Sequence, residues 1–244
     1  MKTSIIIPTY KESENISELL NKIHKNLNRE NIDYKIFIVD DSPNKDIQKL
    51  LTKDNLNISY IYRGEKLGRG SAVLKGFKTA LNSGFKDIII EMDADLSHDP
   101  AELISKIKIF MGNKCDLLIS SRYTNKSKII GWPLKRKILS YISNKLARFI
   151  LKIPVTDYTN GYRFYSEKST KIVVESCGNI GDGFIVLSEI LLQVYLNNLK
   201  ICETETIFRN RTRGSSSVNS KLILKSIFGL IKLFFIKKKY IKPN

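Results

Sequence analysis

Asp93 and Asp95 stand two residues apart at the end of an apolar run, Ile88-Ile89-Ile90-Glu91-Met92, and shortly before Asp99-Pro100. The run reads as a buried strand, and Asp99 with Pro100 as the N-cap and first residue of a helix. A turn at the strand's C-terminal end lets both carboxylates converge on one cation. Hard divalent ions take such oxygen ligands, with diphosphate oxygens and water completing the shell. An acidic turn that merely caps a helix is the plain alternative for a bare Asp-x-Asp. The strand before and the helix after favour a ligand site, because open α/β sheets bind ligands beyond the C-terminal ends of their strands.

Other residues could handle phosphate. Arg209, Arg211 and Arg213 fall within five residues and could grip a diphosphate with the two-pronged geometry that lysine lacks, or simply form an exposed basic loop. Gly68-Arg69-Gly70 precedes a helix, but Val73 stands where a dinucleotide fingerprint needs its third glycine. That turn reads as a tight connection bordering the site rather than a phosphate loop.

The elements that must position these groups alternate. Strands are expected at Ser4–Ile7, Lys35–Val39, Ile58–Tyr62, Asp116–Ser121 and Lys200–Phe208, and helices at Glu12–Leu27, from Ser42-Pro43 to about Lys53, and from Leu67 to near Gly84. Asp157–Tyr165 reads as a loop feeding a strand, and Asp182–Asn197 as a helix carrying Glu189. This is the pattern of an α/β fold: an open, mostly parallel sheet with helices on both faces. A second strand, Lys35–Val39, also runs into acids, Asp40-Asp41, marking the same sheet edge.

With 244 residues, the chain has room for one large α/β domain with or without a small appendage. Its net charge of +17 is uneven: residues 124–153 hold eight Lys/Arg and residues 221–244 hold seven, neither with an acid. Such clustering implies an anionic partner, phosphate-bearing lipid or nucleic acid. Leu134–Leu151 is a basic amphipathic helix, either a membrane-surface element or a solvated helix with a core-facing stripe. Leu222–Ile236 is mostly apolar but interrupted by Lys225 and Lys232. Fifteen helical residues reach about 22 Å, short of a roughly 30 Å hydrocarbon core, so the tail reads as interfacial or as packed on the domain. Cys115, Cys177 and Cys202 are scattered and odd in number, suggesting neither a disulfide framework nor a zinc site and a reducing, cytosolic setting. Ile5-Ile6-Ile7, stopped by Pro8, is too short for a signal peptide.

Taken in order, these residues resemble the family 2 glycosyltransferases of the GT-A (Rossmann-like) fold, and among them the polyprenol-phosphate (dolichol-phosphate) mannosyltransferases. Pro8-Thr9-Tyr10-Lys11-Glu12 is similar to the opening motif, with Lys11 where Asn is usual. Val39-Asp40-Asp41 resembles the base-contacting strand end, and Asp93-Ala94-Asp95 the metal motif. Ser120-Ser121-Arg122-Tyr123, Gly131-Trp132, Arg136 with Ser140 and Asn144, Asp157-x-Thr159-x-Gly161-x-Arg163 and Phe208-x-x-Arg211-x-x-Gly214-x-Ser216 complete the series. Ser217 stands where the family usually has a donor-contacting Lys, and Lys221 lies one helical turn further on.

The resemblance implies a catalytic domain over residues 1–217 and a basic amphipathic membrane-interface tail over 218–244. It also implies an inverting transfer of a sugar, mannose from GDP-mannose, to a polyprenyl or dolichyl phosphate, with Mg2+ or Mn2+ as cofactor. Donor binding would fall to Pro8, Tyr10, Glu12, Val39, Asp41, Asp93, Ala94, Asp95 and Arg211. The metal would fall to Asp93 and Asp95 with Ser97 as a candidate third ligand, and the acceptor phosphate to Arg122, Arg136 and Ser140. Asp95, Arg122 and Arg211 would carry catalysis. The partners implied are the nucleotide-sugar, the lipid phosphate and an anionic membrane surface, with the protein peripheral on the cytoplasmic side. Another donor (UDP-glucose or UDP-GlcNAc) or a glycan hydroxyl acceptor is the alternative; a hydroxyl would need a general base, for which Asp182 is the candidate. A nucleic-acid-binding module is the remote rival, and no helix-turn-helix, RRM or zinc pattern supports it.

Overall fold

Strand β1 (Lys2–Thr9) is buried along all but its first residue, as expected of an apolar run with helices on both sides. The computed structural model describes residues 1–51, 57–181, 183, 185–211 and 220–240. Parallel to β1 lie β2 (Asp33–Asp40) and β4 (Ile88–Glu91), with Ile5 opposite Ile36 on one side and Ile90 on the other. β3 (Ile58–Tyr62) extends the parallel set beyond β2. On the other flank β5 (Leu117–Ser121) follows only after β7 (Arg163–Tyr165), which runs antiparallel to both β4 and β5. With β8 (Ile201–Glu205) parallel to β5, the seven-stranded sheet has the order β3-β2-β1-β4-β7-β5-β8. It is the expected open, mostly parallel sheet, mixed only at β7.

Alternation along β1 assigns the two cores. Ile5 and Ile7 pack with Ile16, Leu19 and Ile23 of α1 (Ser13–Arg29) and with Ile104 and Ile107 of α4 (Leu103–Gly112). Ile6 faces the opposite layer, where Val73 and Phe77 of α3 (Arg69–Asn82) and Ile190 and Leu191 of α7 (Ile185–Leu196) lie. Each such fully buried side chain contributes roughly 1.5–3 kcal/mol relative to an exposed one.

Several expectations need correction. The helix toward Lys53 is the short α2 (Asp46–Leu50), and α6 (Glu167–Ser176) and β6 (Lys128–Ile130) were not foreseen. The strand expected over Lys200–Phe208 breaks at Thr206. β8 stays in the main sheet, whereas β9 (Ile207–Arg209) pairs with β6 in a separate two-stranded ribbon. Asp182 lies outside the described residues, and the helix after it begins at Ile185. Glu189 on that helix is buried and accepts from the backbone N–H groups of Gly178 and Asn179. The cysteine reading also fails: Cys115 and Cys202 form a disulfide across a separation of 87 residues, because the β5–β8 pairing brings them together.

Helix α5 (Leu134–Leu151) has the expected limits but not a core-facing apolar stripe. It buries Asn144, Ala147 and Leu151, and exposes Leu134, Ile138, Tyr141, Ile142 and Phe149. The tail forms one helix, α8 (Ser220–Tyr240), packed against α5 and α7. Leu230 and Leu233 are its buried contacts. Gly229 lets it approach closely, since a Cβ there would lie 2.4 Å from Ile185. Lys237 Nζ donates to the Leu151 carbonyl, satisfying an orphan acceptor at the end of α5. The outer face of α8 exposes Ile227, Phe228, Ile231, Phe234 and Phe235. No helix among the described residues is long and apolar enough to cross a membrane. The boundary expected at 217/218 falls outside the described residues.

Candidate active site

The strand ends of β1, β2 and β4 gather the first group of residues. Beyond Glu91 the chain turns through Asp93, Ala94 and Asp95, and Leu96 takes a left-handed conformation at φ 61°. Asp95 Oδ1 accepts from Ser97 N at 3.1 Å, which closes the turn. The Asp93 N–H donates to His98 Nδ1 at 3.0 Å, so the ring proton sits on Nε2, 3.0 Å from Asn160 Oδ1. His98 is buried and stacked on Tyr162. As expected, Asp99 caps the next turn, its side chain accepting from Ala101 N, with Pro100 at the first position.

Charge around this turn is only partly balanced. Asp93 Oδ1 is gripped by Arg69 Nε at 2.9 Å and Nη2 at 2.6 Å, while Arg69 Nη1 reaches Glu91 Oε1 at 2.6 Å. Burial works to raise the Asp93 carboxyl, but the charge and hydrogen bonds of Arg69, with Arg211 behind them, outweigh it and hold it below the usual range. Arg211 Nη2 lies 3.3 Å from Asp95 Oδ2. Glu12, just before α1 with its carboxylate accepting from Asn15 Nδ2, shifts the other way: burial pushes its carboxyl up, with Asp95 and Asp93 adding repulsion. Ser97 Oγ is buried and lacks a hydrogen-bond partner among the described residues.

A hard divalent cation fits this set. The two aspartates add repulsion to a third carboxylate, Glu12, already pushed up by burial, and the orphaned Ser97 hydroxyl lies beside Asp95. Among the described residues no three His, Cys, Asp or Glu side chains close on one point. The protein would therefore supply Asp93 and Asp95, and the remaining ligands would come from a bound diphosphate and water.

On the nucleotide side, Pro8 and Val39 are register partners on β1 and β2. The half-exposed ring of Tyr10 lies under Lys66 Nζ, 4.4 Å from its centroid. Asp41, expected to meet the donor, is already engaged. Its carboxylate accepts from Arg63 Nε and Nη2 and from the N–H groups of Leu67 and Gly68, at 2.5–3.1 Å. It therefore fixes the 63–68 segment that borders the site. Ala94 is buried.

On the acceptor side, Arg122 is buried against Asp157 and Thr159, its guanidinium ringed by Tyr123, Trp132 and Phe208. Arg136 stacks on the same Trp132 at 4.0 Å and donates to Asn210 Oδ1 at 2.9 Å. Burial, then the nearby Arg211, pull its guanidinium down against the opposing Asp95, and Arg122 pulls it further. Ser140 Oγ accepts from Tyr123 OH at 2.7 Å. Arg211 and Arg136 thus share one electrostatic neighbourhood with Asp95, and Trp132 links Arg136 to Arg122. Arg209 is exposed on β9 and Arg213 lies outside the described residues. Arg69 and His98 had no role in the sequence reading. Both were visible in it, one inside a glycine turn and one five residues after Asp93.

A family model described as Glycosyl transferase family 2 matches residues 4–173. Dolichol-phosphate mannosyltransferase of Pyrococcus furiosus is 37% identical over 239 residues, 95% of this chain and 64% of that protein, so the chain spans less than two thirds of this relative's length. Polyprenol monophosphomannose synthase of Mycolicibacterium smegmatis is 32% identical over 93% of this chain and 84% of the relative. Among solved structures, glucosyl-3-phosphoglycerate synthase of Mycobacterium tuberculosis, in complex with Mn2+, UDP and glucosyl-3-phosphoglycerate, superposes with a TM-score of 0.65. It covers all of this chain and 81% of its own at 16% identity, a likeness of fold.

Proposed function

The chain belongs to glycosyl transferase family 2, and from there we propose that it transfers mannose from GDP-mannose to a polyprenyl phosphate at a membrane surface, with inversion at the anomeric carbon. The observation that carries this reading is the grouping of Arg211, just past β9, with Arg136 of α5 beside the Asp93–Asp95 turn, α5 being the helix that also exposes an apolar stripe. One end of that arrangement suits a diphosphate leaving group, the other a lipid-borne phosphate. The names of the mannosyltransferase relatives support mannose as the sugar transferred and a polyprenol-type phosphate as the acceptor.

A phosphate acceptor is ionised at neutral pH, so the protein need supply no strong base, only position and charge. Asp93 and Asp95 would hold Mg2+ or Mn2+, which as a Lewis acid neutralises charge on the departing diphosphate. Arg211 clamps that diphosphate from the opposite side. Arg136 and Ser140 receive the acceptor phosphate, and Arg122, locked to Asp157, lends positive potential behind them. Residues 1–217 form the catalytic unit in this reading, and residues 218–244 serve it as an interfacial tail. α5 and α8 present exposed aromatic and aliphatic side chains among Lys135, Lys137, Lys145, Arg148, Lys238 and Lys239, a composition suited to anionic headgroups.

The test is a panel of nucleotide-sugars, GDP-mannose, UDP-glucose and UDP-GlcNAc, assayed with polyprenyl phosphate in liposomes and Mg2+ or Mn2+. Mannosyl-phosphoryl-polyprenol formed from GDP-mannose alone is the expected product. Transfer from a UDP-sugar, or only to a saccharide hydroxyl, would overturn the reading.

A further inference from the structure

Arg69 opens α3, and its side chain crosses the ends of β4 and β7 to lie between two carboxylates. Glu91 is the last residue of β4 and Asp93 lies two residues beyond it, where the chain turns, and both carboxylates reach Arg69. Glu91 is fully buried, with Oε2 bonded to Tyr165 OH at 2.8 Å and Oε1 to Arg69 Nη1 at 2.6 Å. The guanidinium's other edge, Nε and Nη2, converges on one oxygen of Asp93. Space for it comes from across the site. A Cβ built on Gly161 would fall 1.9 Å from Arg69 Nη2 and 2.8 Å from Cζ. The bare backbone at residue 161 is thus the slot in which the guanidinium lies.

We propose that Arg69 is the positioning residue of the cation site, and that Gly161 is kept without a side chain for its sake. The proposal rests on the reading that Asp93 and Asp95 bind a divalent cation. With Oδ1 tied to two guanidinium nitrogens, Asp93 offers the cation Oδ2 alone. A carboxylate held to one donor oxygen suits small octahedral ions such as Mg2+ and Mn2+, whereas Ca2+ readily takes carboxylates through both oxygens. The Arg69 grip therefore selects the ion as well as aiming the ligand. Lysine would keep the charge beside Glu91 but has one point donor in place of the fork.

The test measures Mn2+ binding in the presence of GDP by the loss of the free-ion paramagnetic resonance signal, with Ca2+ as competitor. Gly161→Ala retains every charged group and displaces only the far end of a flexible side chain. We expect it, and Arg69→Lys, to weaken Mn2+ binding about tenfold or more and to narrow the preference over Ca2+, with both variants cooperatively folded at the assay temperature. Combining Gly161→Ala with Arg69→Leu should cost no more than Arg69→Leu alone, because the glycine acts through the arginine. Asp95→Asn serves as the control. If it abolishes binding while Gly161→Ala and Arg69→Lys bind Mn2+ with unaltered strength and selectivity, the role given to Arg69 is wrong. Losses that add in the double variant would remove the slot from the proposal. If Asp95→Asn itself binds Mn2+ and GDP normally, the cation reading fails, and the proposal falls with it.

Discussion

Arg122 and Asp157, 35 residues apart in sequence, meet edge to edge: Nε donates to Oδ2 and Nη2 to Oδ1, both at 2.8 Å. The Asp157 carboxylate also accepts from the Arg122, Thr159 and Asn160 backbone N–H groups. Glu203 of β8 holds the preceding residues through the N–H groups of Thr156 and Asp157. The segment from Thr156 to Gly161 is thereby fixed against the end of β5, and with it the wall beside the Asp93 turn.

Breaking that pair leaves a buried charge without its partner. Arg122→Ala or Asp157→Ala should therefore destabilise the fold by about 3–5 kcal/mol, read from urea unfolding. Burial works to raise the Asp157 carboxyl, but Arg122 and the backbone donors overcome it and bring it below its ordinary value. The folded state then binds fewer protons than the unfolded one. The contribution is complete above the ordinary carboxylate pKa of about 4 and is lost as pH falls below it. An acid limb of the stability curve that is no shallower in Asp157→Asn would contradict this.

Asp95→Ala should leave the fold intact, since among the described residues its carboxylate is held by the Ser97 N–H and a 3.3 Å approach to Arg211 at the sheet edge. Titration calorimetry with GDP in Mn2+ should show donor-site binding lost, to the level that excess chelator gives in the unaltered protein. Full turnover in chelator would remove the metal from the mechanism.

Arg136→Ala separates the two substrates. The half-exposed guanidinium is stacked on Trp132 and tied to Asn210, away from the Asp93–Arg69 grip. A charge-assisted hydrogen bond is worth about 1.5–3 kcal/mol, so KM for polyprenyl phosphate should rise roughly 10- to 100-fold with little change in GDP affinity. A collapse of donor affinity instead would assign Arg136 to the wrong phosphate.

What could be read in advance follows from range. Ile5–Ile7, Ile88–Ile90 and Lys35–Val39 announce buried strands because three to five adjacent residues carry the signal, and Pro133 marks the start of α5 at the right residue. The strand at the end of the Asp157–Tyr165 loop is present as β7, but its antiparallel direction and its place between β4 and β5 are properties of the whole sheet. The same holds for Cys115–Cys202, which depends on β5 and β8 being neighbours. In the site, residue types were legible but their partners were not. Asp41 and Arg122 are each held by a charged partner, Arg63 and Asp157, which their residue types alone do not announce. Arg69 was read as part of a turn because its targets, Glu91 and Asp93, lie more than twenty residues on.

The helices α5 and α8 bear on where the reaction takes place. α8 buries Leu230 and Leu233 against the domain, so removing the tail would strip cover from the core as well as from any membrane contact. Substitutions on its outer face discriminate better. Phe149 and Phe235 are 76% and 63% exposed, and exchange to Ser leaves the packed face untouched. Each basic residue near an anionic surface contributes on the order of 1 kcal/mol, and the aromatic side chains add burial at the headgroup boundary. Sedimentation with phosphatidylserine liposomes should show binding that falls with salt, because exposed charges are screened within about 10 Å at 0.1 M. The Phe149→Ser, Phe235→Ser double variant should bind at least tenfold more weakly at every salt concentration, with unchanged GDP affinity. Binding unaffected by either salt or these substitutions would show that α5 and α8 are not the surface that meets the lipid.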